Sequence, residues 1–144
     1  MISLICEKYN IINYTINDDG SIDVNGDVYL INKGLTELPL IFNRITGDFD
    51  CGNNRLTSLK GSPRWVGGYF NCSLNNLTSL EFSPDYVGSV FFCGGNDLTN
   101  NLCDTEIGGY FHTTLEQDGL TMDNYNEWRK LYKRKKILND IFNM

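Results

Sequence analysis

The chain has 144 residues, 41% hydrophobic and 12% aromatic, with only three prolines, which suits one domain with a continuous core and argues against disorder. Its formal net charge is −6, with 15 acids against 6 bases in residues 1–120 and 3 against 6 in 121–144, so the body repels nucleic acid and only the last stretch is basic. No apolar run approaches the roughly 18 residues of a membrane span. Met1-Ile2-Ser3-Leu4-Ile5-Cys6 is too short for a signal sequence, so the expected location is the cytoplasm.

Residues 1–25 read as an N-terminal β cap. Ile12, Tyr14 and Ile16, then Ile22 and Val24, alternate with polar residues on either side of Asn17-Asp18-Asp19-Gly20, which is the pattern of a hairpin.

Residues 26–115 are repetitive. Segments 47–67 and 68–88 share 12 of 21 positions without a gap, and 26–46 and 89–108 continue the frame. A fixed short period marks a solenoid, in which each coil buries its apolar face only against its neighbours. Val28, Phe49, Phe70, Phe91 and Phe111 form one column; Leu30, Cys51, Cys72, Cys93 and Thr113 form the column two residues on. This period-2 alternation predicts a short strand with both side chains inward. Asn54, Asn75 and Asn96 follow three residues later, where a carboxamide can pair the backbone groups of a sharp turn. Lys33 stands in that place in the first coil. Leu56, Leu59, Leu77 and Leu80 then plug the return side, and Pro63 and Pro84 stop a helix there. An extended or 3₁₀ return leg is expected.

Residues 121–144 predict an α-helix that caps the last coil. Tyr125, Trp128, Leu131, Tyr132 and Leu138 recur at helical spacing, opposite a basic face of Arg129, Lys130, Lys133, Arg134, Lys135 and Lys136.

The motif apolar-x-apolar-x-x-Asn-x-Leu resembles the leucine-rich repeat. It is most similar to the compact 21-residue subtype, carrying Cys and Asn, found in tailed bacteriophages and large DNA viruses. The resemblance covers residues 26–115 and implies a β-rich solenoid with a parallel sheet. It also implies a viral protein that acts in the host cytoplasm.

No catalytic constellation is visible. His112 is the only histidine, and no glycine pair is followed by a phosphate-binding Lys-Ser/Thr. The cysteines lack metal spacing; Cys51, Cys72 and Cys93, one period apart, read as buried thiols, while Cys103 falls in an irregular stretch where exposure is open, so no metal and no cofactor is expected. What remains is the outward face of the strands. One column there is Asp27, Asp48, Tyr69, Val90 and Tyr110; the next is Tyr29, Asp50, Asn71, Phe92 and His112. Asp48 and Asp50 are expected to point outward together. Gly52, Ser73 and Gly94 in a third column would let a partner approach closely. Exposed aromatic side chains are what protein interfaces enrich. The expected function is therefore a non-enzymatic protein-protein interaction through Tyr29, Asp48, Asp50, Tyr69, Asn71, Phe92, Tyr110 and His112. Given the resemblance, the partner would be a host factor such as a defence protein. The alternatives are a nucleic-acid binder through the basic helix and a structural component that self-associates through its end.

Overall fold

In the computed structural model, which describes residues 1–99, 105–109, 111, 112 and 141–143, the repeat is realised as a β-solenoid of about four turns. The expected strands are present as β3 (Val28–Tyr29), β5 (Phe49–Asp50), β7 (Phe70–Asn71), β9 (Phe91–Phe92) and β11 (Phe111–His112). They form one parallel front sheet in which Val28 lies opposite Phe49, Phe49 opposite Phe70, and Phe70 opposite Phe91.

That register stacks the core. Phe49, Phe70 and Phe91 are fully buried, with ring centroids 5.8 and 5.0 Å apart along the column. Cys51, Cys72 and Cys93 are piled beside them, also fully buried. The Cys51 thiol donates to Asn71 O at 3.3 Å and the Cys72 thiol to Phe92 O at 3.4 Å. Each fully buried Phe or Leu contributes about 1.5–3 kcal/mol. Short coils suffice because the neighbours supply the other half of the contact.

The Asn column closes the turn after each strand. Asn75 Nδ2 donates to Cys51 O and Cys72 O at 3.0 and 3.1 Å, and its Oδ1 accepts the Leu56 N–H at 3.0 Å. Asn54 and Asn96 repeat the arrangement one coil either way. Main-chain groups that the sharp turn would strand in the interior are thereby paired.

The return leg is extended, and it does more than return. β4 (Phe42–Ile45), β6 (Trp65–Val66), β8 (Tyr86–Val87) and β10 (Glu106–Ile107) pair in parallel as a back sheet. Ile45, Val66, Val87 and Ile107 are its inward residues. The hairpin β1 (Tyr14–Ile16) and β2 (Ile22–Val24) pairs antiparallel and joins this sheet through β2 and β4. At the corner back to the front sheet the coils nearly touch: a Cβ on Gly88 would lie 2.2 Å from Gly67 O.

The first residues are not β. Ile2–Lys8 form a helix, α1, with Cys6 buried and Ile2, Ile5 and Tyr9 packed on the core. Asn10, at φ 55°, ends it, with Asn10 N–H donating to Glu7 O and Ile11 N–H to Cys6 O. This is the reverse turn that commonly closes helices. The helix expected over residues 121–144 lies almost wholly outside the described residues. No helix among the described residues is long and apolar enough to cross a membrane.

Candidate interaction surface

The outward face of the front sheet is built from side chains that first satisfy the fold. Asp27 Oδ1 accepts the Asp48 N–H at 2.8 Å, and Asp48 Oδ1 accepts the Tyr69 N–H at 2.9 Å. Each Asp therefore ties its corner to the next coil. A Cβ on Gly68 would lie 2.0 Å from Asp48 Oδ1, so glycine there makes room for the carboxylate.

Asp50 corrects the expectation that it points outward beside Asp48. Its carboxylate is buried, with Oδ1 accepting the Gly52 N–H at 2.9 Å and Oδ2 the Tyr69 hydroxyl at 3.3 Å. Tyr69, from the next coil, folds across it. Asn71 repeats the local part, accepting the Ser73 N–H at 2.9 Å, as short polar side chains do at turns. Gly52 is likewise buried, and a Cβ there would meet Asn71 Nδ2 at 3.0 Å. Its small size serves this packing rather than an open approach.

What faces solvent is an aromatic strip. Tyr29 is 48% exposed. Tyr69 is half-buried and meets Phe92 edge to face, with centroids 6.0 Å apart. Burial, then the Asp50 charge, pushes the Tyr69 phenol well above its ordinary range. Partial desolvation, then the charges of Asp27 and Asp48, raises Tyr29. Burial also pushes the Cys51 thiol up, which makes it a packed group rather than a nucleophile. Tyr110 lies outside the described residues, and of His112 the structure gives only the pairing of its strand with Phe92. The structure thus brings Tyr29, Asp48, Asp50, Tyr69, Asn71 and Phe92 together, with the two acids hydrogen-bonded inside the array.

A second surface was missed. On the back sheet the Arg44 guanidinium sits 3.9 Å above the Trp65 ring, and Trp65 stacks on Tyr86 at 5.3 Å and 17°. Asp23 Oδ1 holds this end by accepting from Arg44 N–H and Asn43 Nδ2. The signal was present: Trp65 and Tyr86 stand one period apart, each before Val-Gly. Trp65 is thereby sandwiched between the Arg44 guanidinium and the Tyr86 ring.

No cluster of three or more His, Cys, Asp or Glu able to hold a metal occurs among the described residues. No protein-family model matches the chain, and no curated protein or solved structure matches it either.

Proposed function

We propose that the protein is a non-enzymatic binding module of the leucine-rich-repeat type that holds a protein partner on the front-sheet strip of Tyr29, Tyr69 and Phe92. The observation that carries this reading is the division of labour on that face. Asp48, Asp50 and Asn71 direct their oxygens to main-chain N–H groups, while the aromatic side chains over them remain partly in solvent. Rigid aromatic area on a preorganised sheet loses little entropy on binding, the property of interface hot spots. The likeness of the repeats to phage arrays supports a concrete form: a phage-encoded inhibitor that engages a host defence or regulatory protein in the host cytoplasm.

The test is affinity capture from bacterial lysate with the wild type, Tyr69→Ala, Phe92→Ala and, on the other face, Trp65→Ala. Thermal melts would confirm that each variant folds. The expected result is a specific partner retained by Trp65→Ala and lost by the other two. Absence of any specific partner, or loss with Trp65→Ala alone, abandons the front face.

A further inference from the structure

The hairpin lengthens the back sheet at its N-terminal end, but no strand among the described residues lengthens the front sheet there. Among them β3 has β5 as its single neighbour and ends the order. The N–H groups of Val28, Leu30 and Asn32 all point into the array, donating to Asp48 O, Asp50 O and Gly52 O at 2.8, 2.7 and 3.1 Å. Backbone groups of successive strand residues point to opposite sides. Those of Asp27, Tyr29 and Ile31 therefore point away from the array. All three residues are exposed.

An unpaired edge is a template for another strand, normally guarded by shortness, charge, Pro or a bulge. Between Gly26 and Asn32 the sequence has neither Pro nor Lys and one charge, Asp27, and although β3 is two residues long its backbone ladder to the next coil continues regularly to Asn32. Two of the exposed large hydrophobic side chains lie on this edge itself, Tyr29 at 48% and Ile31 at 43%.

We propose that β3 pairs antiparallel with β3 of a second copy of this chain about a two-fold axis at Tyr29, joining two front sheets into one. In this register Tyr29 exchanges both backbone hydrogen bonds with Tyr29 of the second copy. Ile31 exchanges with Asp27 of the second copy. The arrangement places each Asp27 opposite an isoleucine. The two Asp27 side chains sit four residues apart along the strands, about 13 Å, beyond the roughly 8–10 Å over which salt leaves such charges interacting. A two-fold contact also closes on itself, consuming both open edges and creating no new one. It uses the edge of the front sheet rather than its face, so it does not rest on the binding role above.

The test is sedimentation velocity of the full chain over a concentration series, for the wild type, Ile31→Pro and Ile31→Lys. Proline removes an N–H that the fold itself does not use; lysine keeps the backbone and places a charge on the edge. Both are expected to weaken self-association about ten- to hundredfold, while circular dichroism of the dilute protein stays unchanged. Should Ile31→Pro misfold, Ile31→Lys decides, together with hydrogen exchange at the Tyr29 and Ile31 amides, which should slow as the wild type associates. A wild type monomeric throughout, a dimer that survives Ile31→Lys, or a dimer whose two amides exchange freely overturns the proposal. Protection of those amides only in the presence of another protein assigns the edge to a foreign strand and overturns it too.

Discussion

Asn54 Oδ1 accepts the Lys33 N–H across one repeat, at 2.9 Å, and the Leu35 N–H at 3.0 Å. The carboxamide of each coil thus completes the turn of the coil before it. Asn75 does the same for Leu56, and Asn96 for Leu77. The first coil has no repeat before it to serve, which is the physical reason Lys33 is tolerated where the others carry Asn.

This dependence predicts an asymmetry. Restoring the repeat pattern with Lys33→Asn should change stability by less than about 0.5 kcal/mol, as exposed substitutions do. Asn75→Ala, which strands groups in two coils, should cost about 1–3 kcal/mol. Urea denaturation of both variants measures this, and a substantial gain from Lys33→Asn would count against the directional ladder.

Leu77 is fully buried between coils on the return side. Leu77→Ala should cost about 2–5 kcal/mol, because neighbours paired on both sides cannot collapse into the cavity. The midpoint of the same denaturation reports it; a loss under 1 kcal/mol, on the order of a surface change, would place this leucine outside the core.

Two bulky side chains sit in the left-handed region, where glycine or asparagine is at ease. Leu74, at φ 56°, occupies the column of Asn32 and Asn53, and Phe82, at φ 69°, stands where the previous coil has Gly61. Both are more than half exposed, so little packing offsets the strain. Leu74→Asn and Phe82→Asn should each raise stability by about 0.5–1 kcal/mol. If both lower the melting temperature instead, these side chains make contacts that outweigh their backbone conformation.

Alkaline pH should destabilise the fold. Burial, followed by the Asp50 charge, raises both Cys51 and Tyr69 above their ordinary values of 9.0 and 10.0. The unfolded chain releases these protons first, so stability is complete below pH 9.0 and falls as the pH rises above it. Tyr69→Phe should flatten the part of that decline above pH 10.0. Melting temperatures from pH 7 to 11, about the span in which thiols and phenols titrate, would reveal a flat profile if neither group matters.

Where a residue's role depends on its own coil, it was legible. Phe70 and Cys72 alternate as a strand must, and Asn75 stands where a turn leaves groups to pair. Where the role depends on a side chain one repeat away, it was not. Asp50 has the sequence context of an outward acid, and only Tyr69 folding over it makes it a buried acceptor. The back sheet was missed because each return leg turns only one apolar residue inward, Val66 or Val87, directly before a glycine, so no alternation registers there as it does for Phe70 and Cys72. The helix Ile2–Lys8 did leave a trace, Ile2, Ile5, Cys6 and Tyr9 at helical spacing, in a segment assigned to β structure.

By itself the sequence determined the period, the inward columns and the residues able to close the turns, because these follow from local alternation repeated at a constant interval. Only the tertiary structure decided that the return legs form a second sheet, that Asp50 is sealed beneath Tyr69, and that the hairpin covers one sheet while leaving Tyr29 on an open edge. Those outcomes are set by which neighbour reaches a group first in space, and spacing along the chain does not encode that.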